Sequence, residues 1–428
     1  MTRQIFVDFG PWRRNPHATL RTLFASLTLI LAIAIPASAQ QGGKQKTKDE
    51  SGVRWEDDSI RIGDSVRIEP KLRVQGDILL WTSNEPVDDH FSWASRRVGV
   101  NGELFNRLQF QVERAFTDDD DEETRWRDVY ADVRINRAFQ IRGGRFKVPF
   151  SLERNTSRDE LDFLERATAV RALAPSRDTG VMVHGRVANR VLGYEVGVFQ
   201  HADGFSLTDD PNAWGDLGAT LAGRVTYAPV RDKNDGLTRD LHLGVAFVRN
   251  TMPEGLNSVV GRWFDHERFF DRLYVNGQRT RLGAEGEWRG QRATVKGEWL
   301  QQTDERLRQS VTNEDLSDLV THGGYITGVV RVFGERGKRG QAVDVAARFD
   351  RLSVGSGNDT DDPFTNPRAD RVAPIAKDTW TFGGTWQLHR WIRMQGNLIH
   401  ENLVDTLGVR DITDDPRWTA VMRFQFAL

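Results

Sequence analysis

Cysteine is absent from all 428 residues. Its absence excludes disulfide staples, thiol catalysis, iron–sulfur clusters and cysteine-ligated zinc. A large chain without disulfides must take its stability from a core or from a closed hydrogen-bond ladder. Long apolar runs are scarce as well. After Ala39 no stretch reaches the roughly 18 apolar residues that a membrane-crossing helix needs. Excess positive charge is missing too: the formal net charge is −2, which argues against nucleic acid as a partner. Catalytic signatures are also wanting. The nine histidines show no H-E-x-x-H or other zinc spacing, so neither metal nor cofactor is expected. No G-x-S-x-G, P-loop or dinucleotide fingerprint occurs. Asp178-Thr179-Gly180 spells the aspartic-protease triplet. That chemistry needs two carboxylates sharing a proton, and only one copy is present, at a predicted strand start. Enzymatic chemistry is therefore not expected.

What the chain does have begins at its N-terminus. Arg13, Arg14 and Arg21 precede an apolar run from Leu23 to Ile35, followed by Pro36-Ala37-Ser38-Ala39-Gln40. A basic region, a short apolar core and an A-x-A cleavage pattern make a secretory signal peptide over 1–39. The alternative is an N-terminal membrane anchor, for which the run is short. The start is unusually long, so an initiator downstream of Met1 is an open alternative. Removing 1–39 takes away four basic side chains (Arg3, Arg13, Arg14, Arg21) and one acid (Asp8), leaving a charge of about −5. Residues 40–58 are polar and read as a flexible periplasmic lead-in. No Pro/Gly/Ser linker divides the remainder, so 59–428 is taken as one domain.

That domain is dominated by period 2, the signature of strands. In 341–351, Val343, Val345, Ala347 and Phe349 alternate with Asp344, Arg348 and Asp350. In 217–228, Leu221, Gly223, Val225 and Tyr227 oppose Thr220, Arg224 and Thr226. In 126–135, Val129, Ala131, Val133 and Ile135 oppose Asp128, Tyr130, Asp132 and Arg134. One such segment would suit a soluble sandwich equally well; the spacing of the whole set is more telling. Sixteen strands are expected at roughly 65–80, 92–103, 105–115, 126–135, 138–146, 178–188, 191–200, 217–228, 239–249, 279–289, 291–301, 322–333, 341–351, 378–388, 391–401 and 417–427. Tight links near Phe105-Asn106, Asn136-Arg137, Asn189-Arg190, Gly290 and His389-Arg390 alternate with long loops at 81–91, 116–125, 147–177, 201–216, 250–278, 302–321, 352–377 and 402–416. Short turns alternating with long loops over an even strand count predict a transmembrane antiparallel β-barrel with periplasmic turns and extracellular loops. Lipid cannot hydrogen-bond an open sheet edge, so the sheet must close.

The acidic stretch Thr117–Glu123, Asp359–Pro363 and Asp414-Asp415-Pro416 suit solvated loop tips. The alternative is a divalent-cation site bridging them to lipopolysaccharide. Thirteen tryptophans occur, including Trp81, Trp126, Trp288, Trp299, Trp391 and Trp418 near strand ends, where interfacial girdles belong. Trp418, Ala420, Met422, Phe424, Phe426 and Leu428 alternate to the C-terminus. Such a terminal strand resembles the signal by which the barrel-assembly machinery recognises its clients, with Leu428 in place of the usual Phe.

The sharpest local feature is Gly143-Gly144-Arg145-Phe146-Lys147-Val148-Pro149-Phe150-Ser151-Leu152-Glu153. It is followed by Asp162-Phe163-Leu164-Glu165-Arg166 and by Arg177-Asp178-Thr179-Gly180. This order of G-R-F-K-x-P-F-x-x-E, F-x-E-R and R-D-x-G elements resembles the phosphate-selective porin family, porin O and P. The motif covers about a tenth of the chain, and the strand pattern extends the likeness over 60–428. The resemblance implies a sixteen-stranded, homotrimeric porin in the outer membrane of a Gram-negative-type bacterium, with some members selective for phosphate or polyphosphate. It also implies that the third long loop folds into the lumen. Here that loop carries Lys147, Arg154, Arg158, Arg166, Arg171 and Arg177 as candidate constriction residues, among Glu153, Asp159, Glu160, Asp162 and Glu165.

Strand parity adds a candidate basic ladder facing the lumen: Arg73, Arg134, Arg142, Arg186, Arg224, Arg348, Arg393 and Arg423, with Arg97 and Lys296. Guanidinium forks suit phosphate, and rings of them select anions. The same parity turns Glu103, Glu113, Asp128, Asp132, Glu195, Glu285, Glu287, Glu298, Asp344 and Asp350 inward, so no clean positive excess is seen. The expected function is passive diffusion of small anions, phosphate or polyphosphate among them. The alternatives are a non-selective diffusion porin and a structural or adhesive barrel with a plugged lumen.

Overall fold

A computed structural model describes residues 52–83, 90–116, 126–200, 219–231, 238–335, 341–356, 366–405 and 416–428. The expected signal peptide, and the acidic tips at 117–123, 359–363 and 414–415, lie outside the described residues.

A two-residue turn comes first among the described residues. Asp57 and Asp58 both take positive φ, the geometry that closes a type I′ hairpin. They join β1 (Val53–Glu56) to β2 (Ser59–Ile62). The hairpin lies within and just after the stretch expected to be an unstructured lead-in. Asp58 anchors it, accepting hydrogen bonds from Arg390 at 2.7 Å and from the Trp391 indole at 3.4 Å.

The alternating segments that follow form sixteen long strands: β3 (Val66–Thr82), β4 (Phe91–Leu104), β5 (Leu108–Ala115), β6 (Trp126–Arg134), β7 (Gln140–Lys147), β8 (Arg177–Val187), β9 (Leu192–Phe199), β10 (Thr220–Arg231) and β11 (Thr238–Leu256) make the first part. Two short strands, β12 (Gly261–Arg262) and β13 (Arg268–Phe270), pair in a hairpin of their own. The wall resumes with β14 (Tyr274–Gly290), β15 (Ala293–Arg306), β16 (Leu316–Gly334), β17 (Ala342–Ser356), β18 (Val372–His389), β19 (Ile392–Asp405) and β20 (Arg417–Ala427). Each wall strand pairs antiparallel with its predecessor. β20 returns to pair with β3, with Phe424 opposite Gly76 and Phe426 opposite Val74, so the sheet is a closed sixteen-stranded barrel without a lateral edge.

Register follows the pattern of side chains. Along β10, Leu221, Val225 and Tyr227 are exposed while Arg224 is buried inside. Val181, Val196, Val245 and Ile326 lie on the same outer face, each more than half exposed; in a bilayer this apolar belt meets hydrocarbon. The tight turns fall where expected: Phe105-Asn106 and Asn189-Arg190 take positive φ. The upper ends differ from expectation. β11 and β14 to β19 continue for several residues into segments expected to be loop.

Candidate functional site

The segment 148–176 between β7 and β8 is the third long connection, and its polar contacts run to inward-facing residues of the wall. Its entry begins at Gly144, whose φ is +126° and where a Cβ would lie 2.3 Å from the Val129 carbonyl oxygen. Phe146 follows, packed edge-on against Tyr130 and Phe199 inside the barrel. The loop then crosses to β15. Leu152 and Glu153 donate their backbone N–H groups to the Glu298 carboxylate at 2.9 and 2.6 Å, and Tyr325 donates its hydroxyl at 2.8 Å. Lys296 pairs with Asp162 at 2.6 Å. Leu164 donates its N–H to Asn397 at 2.8 Å and Thr168 donates to Asp350 at 3.1 Å. Apolar side chains finish the seat: Val148, Phe150, Ala169, Val170 and Leu173 pack with Met182, Val248, Leu300 and Leu352 from the wall.

The sequence-derived arginines divide into two groups by what they touch. Arg348 reaches the Glu165 carbonyl at 3.1 Å and the Glu153 carboxylate at 3.3 Å. Arg393 donates to the Asp159 and Leu161 carbonyls at 2.6 and 2.7 Å. Arg423 donates to the Leu164 carbonyl at 2.7 Å and pairs with Asp77. Arg73 pairs with Asp159. These four fasten the loop. Three residues of the loop or its edges turn back on its own carbonyls: Lys147 on Asn155 and Thr156, Arg154 on Val170 and Ala174, and Arg166 on Glu153 and Thr156. Arg171 donates to the Trp263 carbonyl at 3.2 Å.

The second group lies along the wall away from these clamps. Arg177 pairs with Asp128 at 2.7 Å and Arg97 with Glu113 at 3.1 Å. Arg97, Arg127 and Arg177 lie within electrostatic range of one another, and Arg127 also of Arg158 on the loop. Further along the wall, Arg142 pairs with Asp132 at 2.8 Å, Arg134 with Glu103 at 3.5 Å, and Arg224 with both Glu195 and Glu285. Arg186 is exposed on the lower cavity described below. On the loop, Arg158 pairs with Glu165. Burial raises the Glu165 carboxyl, but Arg158, Arg423 and Arg171 outweigh it and hold the group down at about 2.

Arg127 was not legible in strand parity. A register irregularity sets Val112 against Val129 and Arg114 against Trp126. One residue of β5 therefore spans two of β6, and Arg127 joins Asp128 beside Glu113.

A second loop also folds inward, which the sequence did not predict. Between β11 and β14, Trp263 is fully buried, with Arg417 over its ring at 4.1 Å and Lys377 at 5.6 Å. Phe264 donates its N–H to Glu401 at 3.0 Å, and Lys377 donates to the Arg262 carbonyl at 3.0 Å.

The two faces of the third loop border different cavities. The upper one, about 390 Å³, is lined by Arg154, Arg171, Arg262, Arg272, Arg279 and Arg281 against a single carboxylate, Glu165. The lower one, about 1140 Å³ and open among the tight turns, carries Arg186, Arg289, Arg292, Lys296, Arg331, Arg390 and Arg393 against Asp159, Glu160, Asp162, Asp240, Glu287 and Asp344. Charge is nearly balanced below and positive above, where the lining Arg279 is also paired with a buried carboxylate, Asp304.

A family model described as phosphate-selective porin O and P matches residues 71–428. Among solved structures the barrel is similar to OmpT, an outer membrane protein of Vibrio cholerae in its trimer form (TM-score 0.54, 11% identity, covering 85% of this chain and 100% of that one). It is also similar to the outer membrane channel DcaP of Acinetobacter baumannii (TM-score 0.54, 9% identity, 85% and 98% covered). A third is the anion-selective porin from Comamonas acidovorans (TM-score 0.50, 14% identity, 85% and 100% covered). At these identities the likeness is one of fold. No curated protein matches the sequence.

Proposed function

The chain belongs to the phosphate-selective porin O and P family, an outer-membrane channel for small solutes, and on that premise we propose that it passes small anions by passive diffusion. The observation that carries this reading is the charge asymmetry across the third loop: six guanidinium groups and one carboxylate line the upper cavity. An anion arriving from outside meets a positive potential in a narrow, low-dielectric mouth, where the field is focused. It then passes Arg97, Arg127, Arg158 and Arg177, the constriction in this reading. Each of Arg97, Arg158 and Arg177 has a carboxylate partner, so binding there is shared and weak enough for release. Phosphate is within this class, because planar guanidinium forks donate paired hydrogen bonds to its oxygens.

The same reading takes 1–39 as the export signal, 40–58 as the periplasmic lead-in and a homotrimer as the assembled state, with lipid and lipopolysaccharide around the belt and the barrel-assembly machinery acting on β20. The trimer is supported by the trimer form of the similar Vibrio cholerae protein. Reversal potential in a potassium chloride gradient across a planar bilayer tests the proposal. Anion preference is expected. Equal permeability would favour a general diffusion porin, for which the balanced lower cavity speaks; cation preference would overturn the anion reading.

A further inference from the structure

We propose that the upper cavity binds compact organic dianions, two anionic groups on one small carbon framework, in preference to bare inorganic oxyanions. The inference rests on the anion reading above and adds to it the class of solute.

Size is the first argument. A volume of about 390 Å³ falls within the range of sites that enclose small organic molecules, roughly 300–1,000 Å³. A single tetrahedral anion would touch only a fraction of that wall and leave the rest to water.

The placement of charge is the second. The guanidinium groups come from three separate elements: Arg154 and Arg171 from the third loop, Arg262 and Arg272 from the loop after β11, and Arg279 and Arg281 from β14. Two anionic ends joined by carbon can engage groups on more than one of these elements at once. Arg154, Arg171 and Arg262 are positioned by backbone carbonyls, with Arg262 donating to His266 at 2.8 Å. A carbonyl fixes the side chain without cancelling its charge, whereas Arg279 is paired with Asp304 and adds little net charge. Glu165, the lining carboxylate, is already engaged by Arg158 and Arg423. The resulting potential registers on the loop groups. Burial and then Arg171 lower the His266 pKa, and burial followed by Arg268 and Arg262 lowers that of Arg272.

The third argument is the apolar part of the wall. Ala172, Pro175, Val259, Val260 and Leu352 line the same cavity. Inorganic phosphate has no surface to place against them, whereas a carbon framework loses water there favourably.

The test is block of chloride current through the full mature chain in a planar bilayer. Isophthalate, glutarate, benzoate and inorganic phosphate are added in turn to the loop side. Isophthalate and glutarate are expected to half-block at concentrations at least about tenfold below phosphate and benzoate, a difference of ~1.4 kcal/mol. Arg262→Ala and Val260→Asp are each expected to erase most of that advantage. Comparing the four anions on the unaltered chain needs no variant to fold. Phosphate blocking as well as the organic dianions overturns the proposal, as does no block by any of the four; in both cases the reversal potential in chloride alone still reports whether the anion reading holds. Cation preference of the unaltered chain overturns both.

Discussion

Two arginines a few residues from a pore can do opposite things, and their partners tell which. Arg348 is buried, with its charge held between Glu153 and Asp350 and its N–H groups on the Glu165 carbonyl. Removing it leaves two carboxylates without their cation in a poorly solvated place, which costs about 3–5 kcal/mol. Arg348→Gln is therefore expected to lower the temperature at which the barrel loses its heat-modifiable migration in gels. An unchanged midpoint would remove Arg348 from the clamp. Arg127 sits beside Arg97 and Arg177, so Arg127→Glu is expected to leave that midpoint in place and cut the anion-over-cation permeability ratio several-fold, read from reversal potentials. Both residues are basic in sequence, but only Arg348 was legible as inward, because Arg127 depends on a bulge that shifts parity. Composition cannot distinguish a clamp from a lining residue: Arg393 and Arg423 obey the same alternation as Arg224, and only the path of the loop shows that they hold its carbonyls.

At the scale of elements, the third loop stays inside because wall side chains replace the water its backbone would otherwise keep. Glu298 is the main latch, accepting two consecutive N–H groups where the loop begins its one-turn helix, Leu152–Asn155. Glu298→Ala leaves those buried donors unpaired, costing about 1–3 kcal/mol each. Single-channel traces are expected to gain open-channel noise and substates; quiet, unaltered traces would argue against a latch. Acid should act through Glu165. Its folded pKa, about 2, lies below its usual 4.5, so the stabilisation it gives is complete above about pH 4.5 and is lost as pH falls toward 2. The part of the loop's stability that rests on Glu165 is expected to hold constant to about pH 4 and to be lost below about pH 3, read as a conductance instability in acid that Glu165→Gln removes. A transition near neutrality would assign gating to other groups. The loop's inward course was legible only through its resemblance to a family. For the loop after β11 the signal lay in the sequence as Val259-Val260-Gly261-Arg262-Trp263-Phe264, an apolar cluster too rich for a solvated tip. Period-2 reasoning passes over such clusters because a loop has no period. The upper reaches of β14 to β19 went unread for a related reason: Leu319, Val354, Val372 and Ile375 are buried apolar residues there, packed with Phe270 and Leu273 of the second inward loop, so the apolar-out, polar-in alternation that marks a wall strand fades.

Closure is a property of the whole molecule, and the sequence announced it most clearly, through an even number of alternating segments, the last of them at the C-terminus. Its physical basis is the β20–β3 seam. Arg423 binds Asp77 across it, Gln75 donates to Gln425 at 2.6 Å, and Leu72 and Leu428 exchange backbone hydrogen bonds at 2.8 and 3.3 Å. Without β20 the facing edges of β3 and β19 would each present a row of unpaired backbone groups to hydrocarbon, at a cost of several kcal/mol for each unsatisfied group. The remaining fifteen strands cannot relieve this by sliding together. Each pairing is fixed by inward polar and outward apolar residues, and a slip of one position would reverse every side chain. Deleting 417–428 is therefore expected to abolish the compact, heat-modifiable form on refolding into detergent, rather than to yield a narrower channel. Substituting Arg423 and Asp77 together by Gln and Asn, which keeps hydrogen-bonding groups at the seam, is expected to retain the folded form with a lowered midpoint. A truncated chain that still refolded and conducted would mean that closure does not need this seam, and the assignment of β20 as the closing strand would fail with it.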